Sequence, residues 1–421
     1  MIEKILRTIQ KIIPKKLYKA GQPFYHFSLA FISAVICGFP SKKLKIVGIT
    51  GTKGKTTTSE LVASILRSAG YKVALANSIH FVIGEKDTRN MHKMSMPGRG
   101  FMQKFLKKAL KENCHWVVLE LTSEGSKQFR HKFIDLDAFI FTNLQPEHIE
   151  SHGSFEKYKE AKIALGESLI KKPHSILVVN GDDVHSKDFL EKVPASKKVS
   201  YSLESMRPFK TDDGVEMRFQ NSTIYSKLHG EFNANNILSA ITFAESININ
   251  EKIIKEGIEN VRTVSGRAEK IISAETFEVY VDYAHTPDSL LALYSSFPNQ
   301  EKVCVLGNTG GGRDTWKRPA MAEIADKYCD AIILTNEDPY DENPDQIVKE
   351  MSDAILDKSP EIIMDRRFAI RKAMELASKK ANAVVLITGK GTDPYIMGAN
   401  GTKEPWSDAD VVREEFAKLK N

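Results

Sequence analysis

The stretch GITGTKGKTTT, residues 48–58, restricts the fold of this chain more than any other segment. Ahead of it runs KLKIVGIT, an apolar, β-branched segment that reads as a buried strand. Behind it, TTSELVASILRSAG repeats its apolar residues at helical spacing and closes on a glycine. Strand, glycine loop and helix in that order aim backbone N–H groups and the positive end of a helix at a phosphate. A Walker A loop has a glycine five residues ahead of the glycine of Gly-Lys-Thr; here that position is Ile49, and Gly48 stands one residue too early. Lys55 is still placed to neutralise outer phosphates, and Thr56 to offer a hydroxyl to Mg²⁺.

The same alternation continues downstream. KIVGIT, WVVLEL, AFIFTN and SILVVNG are separated by helical stretches, the pattern of a mostly parallel sheet flanked by helices. A second series begins near Glu269 with FEVYVDYA, KVCVLGN, AIILTNE and AVVLITGKG. The chain therefore reads as a short helical segment (1–44), a central α/β domain of P-loop type (45–264) and a second α/β domain (265–421). A net charge of +6 over 421 residues gives no case for a nucleic-acid partner. Cys37, Cys114, Cys304 and Cys329 stand far apart with no CxxC, which fits reduced thiols in a cytoplasm.

The first 44 residues are the unusual part. Ile2, Ile5, Leu6, Ile9, Ile12 and Ile13 share one helical face, with Lys4, Arg7 and Lys11 elsewhere around it. Ser28 to Phe39 is apolar but too short to cross a bilayer. Two uses stay open: docking on the protein's own body, or lying on a membrane surface.

Several strand ends carry polar residues, as expected where ligands bind at the carboxyl edge of parallel sheets. Glu120 terminates WVVLE, where a carboxylate can hold Mg²⁺ directly or through water. Thr142, Asn143 and His148 follow another strand, and a helical stretch beyond them bears Lys162.

With these residues in view, the chain resembles the Mur ligase family, in particular the branch that adds the third amino acid to UDP-N-acetylmuramoyl-L-alanyl-D-glutamate. Thr50 to Thr57 fit the family's Thr-Gly-Thr-x-Gly-Lys-Thr-Thr throughout, so the opening loop is intact. TNLQPEHIESHGSFEKYKEAK, GEFNANNILSA, DYAHTPDSL, GNTGGGRDTWKRPAMAEIA, DRRFAI and GKGTD match further family segments in order. The resemblance implies a central ATPase and a Rossmann-like C-terminal ligase domain, using ATP and Mg²⁺ and acting as a cytoplasmic monomer.

It also implies roles residue by residue. Gly51, Thr52, Lys53, Gly54, Lys55, Thr56 and Thr57 would hold the ATP phosphates, with Thr56, Glu120, His148 and Lys162 serving Mg²⁺ and Lys162 carbamylated. Asn233 and Asn236 would face adenine, Arg267 the phosphates and Asp282 the ribose. Ser95, Met96, Thr122, Gln128 and Arg130 fall at the UDP-muramoyl dipeptide acceptor. Arg313, Glu337, Asp338, Pro339, Tyr340, Gly389 and Asp393 fall at the incoming amino acid.

Three departures stand out. The region before the phosphate loop is about half as long as the family's UDP-gripping domain, which implies a weak hold on the uracil end. The family's Ser-Ser-His is Thr122-Ser123-Glu124. Enzymes adding meso-diaminopimelate carry Asp-Asn-Pro-Arg, whereas Glu337 to Tyr340 read Glu-Asp-Pro-Tyr, so the arginine that meets the distal carboxylate is missing. The balance leans towards lysine or another basic diamino acid. The alternatives are a glutamyl-acceptor ligase of the folylpolyglutamate or poly-γ-glutamate synthetase type, and a non-catalytic nucleotide-binding relative.

Overall fold

The computed structural model describes residues 15–98, 100–147, 149–312 and 314–419. The expected amphipathic face between Ile2 and Ile13 lies outside them, as do His148 and Arg313. The chain divides into two compact units. The first runs through Glu147 and adds His152–Tyr201 and Ser239–Ile249; the second takes 148–151, Ser202–Leu238 and everything from Asn250 onward.

The first unit is built on an eight-stranded sheet. Its strands are β1 (Lys45–Thr50), β2 (Val73–Ala76), β3 (His80–Ile83), β4 (Lys86–Arg89), β5 (Trp116–Glu120), β6 (Ala138–Phe141), β7 (Ile176–Asn180) and β8 (Lys197–Tyr201). The order is β4-β3-β2-β5-β1-β6-β7-β8, parallel from β2 to β8, with β3 and β4 added as an antiparallel meander at one edge. β1 and β5 are buried almost end to end, as strands covered on both faces must be. Phe139 and Phe141 of β6 point to one core together with Val117 and Leu119 of β5, the two-residue period of a strand.

Helix Lys15–Cys37 precedes the sheet. Ala34 and Cys37 are buried, and rings at 27, 31 and 39 gather around Phe133. One side of this helix therefore packs on the protein's own body, one of the two uses left open by the sequence. The opposite side is exposed.

In the second unit the main sheet comprises β12 (Glu269–Ser273), β13 (Phe277–Val281), β14 (Glu301–Leu306), β15 (Ala331–Leu334), β16 (Glu361–Ile362) and β17 (Ala383–Ile387), in the order β12-β13-β17-β14-β15-β16. Only β12 is antiparallel within it. Val303 and Val305 join one core and Cys304 and Leu306 the other, so β14 separates two apolar layers. Arg366 reaches Asp408 through Nε and Nη2, each at 2.8 Å, with both residues buried. This planar two-point contact ties helix Arg366–Ala377 to helix Asp408–Leu419. A separate antiparallel sheet, β9 (Phe209–Lys210), β10 (Val215–Phe219) and β11 (Ser222–Ser226), was not expected from the alternation.

The expectation of four reduced thiols is corrected. Cys304 on β14 and Cys329, just beyond helix Lys317–Tyr328, form a disulfide, while Cys37 and Cys114 are free and buried. Spacing of 25 residues gave no hint of the pairing; packing that helix against the sheet brings the two sulfurs together.

Candidate active site

The phosphate loop is fastened to the segment that leaves β6. Thr52 N–H donates to Asn143 O at 2.9 Å, and Lys53 N–H donates to Asn143 Oδ1 at 2.8 Å. Thr142 Oγ1 donates to Lys53 O at 2.7 Å. Gly51 has φ +154°, and a Cβ there would lie 1.9 Å from Thr142 Oγ1, so the approach of these two loops requires glycine. Gly54, at φ 82°, is the residue from which helix Lys55–Ser68 starts.

Two amines converge on one carbonyl. Lys55 Nζ donates to Gly51 O at 3.0 Å and Thr52 O at 2.8 Å; Lys162 Nζ donates to Gly51 O at 2.7 Å. Lys162 is buried in helix Phe155–Ile163, its ammonium position 4.7 Å from the centre of the Tyr158 ring. Burial, then the positive charge of Lys55, holds its pKa well below the ordinary lysine range. A lowered pKa favours the uncharged amine, the nucleophilic form of lysine. Lys53 instead turns to Glu147 at 3.3 Å.

Glu120 is the hub of the second cluster. Its Oε2 accepts from Thr56 Oγ1 at 2.8 Å and Ser78 N–H at 3.1 Å, and its Oε1 accepts from Ser95 Oγ at 2.7 Å. Ser78 is the residue the sequence reading missed; the available signal was its place beyond the carboxyl end of β2. Asn77 fixes that turn. Its Oδ1 accepts the N–H of Ile79 and of His80, and its Nδ2 donates to Glu60 at 2.7 Å. Among the described residues no group of three or more His, Cys, Asp or Glu is gathered as a metal centre. A buried carboxylate beside a threonine hydroxyl is nevertheless a hard oxygen donor set that suits Mg²⁺, which takes few protein ligands and fills its shell with water and phosphate.

All five expected acceptor residues come together on the other side of Glu120. Met96 Sδ lies 3.3 Å from Thr122 N, and Arg130 donates to Met96 O and to Gln128 Oε1. Thr122 caps the short helix Ser123–Lys127 by accepting from Gly125 N–H. Glu124 faces His152 at 3.4 Å, and His152 lies 3.2 Å from Ser123 Oγ.

The remaining predicted residues belong to the second unit. Asn233 and Asn236 are buried in helix Glu231–Ser246, bonded to His229 O and to each other. Asp282 accepts from Ala268 and Ala284 N–H, both at 2.6 Å; desolvation lifts its carboxyl above the usual range although Arg267 opposes. The Arg267 guanidinium lies 4.6 Å from the Tyr283 ring. Gly266, next to it, is in close contact with Gly391.

The described members of the expected amino-acid set lie close together. Glu337 and Asp338 are buried; Thr309 donates to Glu337 at 2.9 Å, and Lys390 donates to Asp338 at 2.7 Å. Burial and then the adjacent Asp338 charge push the Glu337 carboxyl upwards. A Cβ on Gly389 would strike Glu337 Oε2 at 2.2 Å. Asp393 stands 3.6 Å from Lys390, and Tyr340, at φ 52°, packs on Gly311 after Pro339.

The Mur ligase middle domain matches residues 49–244, and the Mur ligase glutamate ligase domain matches residues 266–391. The UDP-N-acetylmuramoyl-L-alanyl-D-glutamate–2,6-diaminopimelate ligase of Syntrophomonas wolfei is 33% identical over 403 residues, covering 92% of this chain and 81% of its own. The UDP-N-acetylmuramyl-tripeptide synthetase of a Roseiflexus species is 32% identical over 427 residues, with 94% and 83% covered. A solved diaminopimelate ligase of the same name aligns at TM-score 0.61 and 28% identity over 90% of this chain and 79% of its own. Mycobacterium tuberculosis folylpolyglutamate synthase, solved with ADP and AMPPCP, aligns at TM-score 0.71 over 87% of this chain and 93% of its own, but at 16% identity shares the fold alone. The chain thus belongs to the Mur ligase family, as an ATP-dependent ligase that joins an acid to an amino acid.

Proposed function

We propose that this ligase adds a diamino acid, with lysine preferred over meso-diaminopimelate, to the D-glutamyl end of a UDP-muramoyl dipeptide-like acceptor in the cytoplasm, working as a monomer. The observation that carries it is the Glu120 hub: one carboxylate is bonded both to Thr56 of the phosphate loop and to Ser95 of the acceptor cluster. Such an arrangement supports transfer between a nucleotide and a substrate carboxylate.

A carboxylate is a poor acyl donor because oxide is a poor leaving group. The acceptor oxygen attacks the γ-phosphorus of ATP, the bond to ADP breaks, and an acyl phosphate forms. The amino-acid amine then attacks the acyl carbon, phosphate leaves, and the amine's surplus proton passes to solvent. Positioning and charge neutralisation carry most of the catalysis. Lys55 and the N–H groups of residues 51–57 hold the phosphates. Mg²⁺, when bound, supplies charge neutralisation on the transferring phosphoryl group; Thr56 and Glu120 would hold it, with His148 and a carbamylated Lys162 in support. Burial and the charge of Lys55, which favour the uncharged form of the Lys162 amine, suit it to reaction with CO₂. Arg130 pairs with an acceptor carboxylate or phosphate through its planar fork. Asn233 and Asn236 serve adenine, Arg267 the phosphates and Asp282 the ribose. Glu337, Asp338, Gly389 and Asp393 serve the incoming amino acid, with Arg313 assigned by its place in the family pattern, and Tyr340 stands where the diaminopimelate-adding enzymes carry an arginine for the distal carboxylate.

The test is ADP release by the purified chain given a UDP-muramoyl dipeptide and single amino acids. Release that needs both partners and is fastest with lysine supports the reading. Glutamate added to a folate-type acceptor would establish the glutamyl-chain alternative, and release without either partner would sink both.

A further inference from the structure

We propose that the outward side of helix Lys15–Cys37 docks on the surface of an anionic lipid bilayer, an inference independent of the amino acid that the ligase adds. The inward side is already occupied. Ser33 packs on Gly100, Phe27 and Phe31 lie 5.5 Å from the Phe133 ring, and Lys107 donates to Ile36 O at 3.2 Å. At about 100° per residue, Phe24, Tyr25, Ile32, Val35 and Ile36 fall on one continuous arc of the opposite side. All five are exposed, Phe24 at 78%, Ile36 at 68% and Ile32 at 52%. Scattered apolar residues on a surface are ordinary; a contiguous aromatic and aliphatic stripe on one helix marks an interaction face.

Charge selects the occupant. Residues 1–45 hold nine basic side chains and one acidic one, a net +8, whereas the whole chain carries +6, so the other 376 residues together carry −2. The excess sits on both ends of the exposed helix: Lys15, Lys16 and Lys19 at its start, and Lys42, Lys43 and Lys45 just past its end. A second copy of the chain would bring the same positive charge and be repelled. An anionic bilayer meets both demands, taking the apolar stripe below the headgroups while lysines pair with phosphates. Among the described residues no helix is long and apolar enough to cross a membrane, so the helix lies on the surface.

The test is co-sedimentation of the full chain with vesicles of pure phosphatidylcholine, and with vesicles in which part of it is replaced by phosphatidylglycerol. Binding should favour the anionic vesicles and weaken as salt rises. The triple variant Phe24→Ser, Ile32→Ser, Ile36→Ser should lose roughly a hundredfold or more in vesicle affinity, while keeping its melting temperature and its ADP release with soluble substrates. Phe24→Trp gives a second readout, a blue-shifted emission only with anionic vesicles. Failure of the wild type to bind, equal binding to both vesicle types, or unchanged binding by the triple variant overturns the proposal. So does a dimer in sedimentation velocity that the triple variant dissolves, which would assign the face to a second copy.

Discussion

Replacing Lys162 by methionine separates a catalytic amine from a structural one. The native amine is buried, donates to Gly51 O at 2.7 Å, and is held below the usual lysine range by burial and then by Lys55. Methionine keeps most of the volume and removes one hydrogen bond, worth about 0.5–1.5 kcal/mol. Against that loss, the substitution removes a polar group from a buried site, whose desolvation costs about 1–3 kcal/mol on mutational scales. The two nearly offset, so Lys162→Met should melt within a few degrees of the wild type. Linkage adds a sign. The native pKa is lowered, so below the unfolded lysine value, about 10.4, the unfolded chain binds a proton that the native chain refuses. Wild-type stability therefore falls as pH drops through that value, and the variant should lose this slope and gain relative stability towards neutrality. Ligation behaves differently. If Lys162 supports the metal as a carbamate, the variant should lose roughly 10–100-fold or more in activity. A short carboxylic acid should restore part of it to Lys162→Ala, whose smaller side chain leaves room. Paired melting curves at pH 7 and 10, with ADP release at saturating substrates, give both readings. Wild-type turnover by Lys162→Met would refute the catalytic argument, and a large loss of stability would show that the amine is a structural pillar.

Asp408→Ala leaves Arg366 buried without its carboxylate and should destabilise the second unit by about 3–5 kcal/mol, read as an earlier urea transition of that unit; a shift under 1 kcal/mol would contradict the buried-pair argument. His131 is buried, and burial, with Lys132 adding to it, holds its pKa at about 3. Because that value is lowered, stability should be full above about pH 6.5 and decline as pH falls towards 3; His131→Leu should flatten this decline in acid-unfolding curves, and an unchanged slope would count against it. Tyr340→Arg should raise kcat/KM for meso-diaminopimelate relative to lysine by roughly tenfold or more, the worth of one charge-assisted hydrogen bond at about 1.5–3 kcal/mol; no change in the ratio would remove Tyr340 from the specificity argument.

Much of this protein was determined locally and could be read without coordinates. The phosphate loop announces itself because strand, glycine loop and helix each have their own short-range signature, and β1 with helix Lys55–Ser68 occupies the predicted positions. The apolar runs ending at Glu120, Phe141 and Ile387 became parallel strands for the same reason, since burial on both faces demands uninterrupted hydrophobic residues. What lay beyond the sequence was whatever depends on register and packing. That Ser78 and Ser95 meet Thr56 on one carboxylate follows from β2, β5 and β1 lying side by side. That Cys304 pairs with Cys329 follows from how a helix lies on β14. In helix Lys15–Cys37 the sequence set an apolar composition, but only packing against Phe133 and Gly100 decided which apolar residues were left facing outwards. Periodicity fixes what a segment becomes, whereas contacts between segments distant in the chain depend on the order in which strands and helices pack.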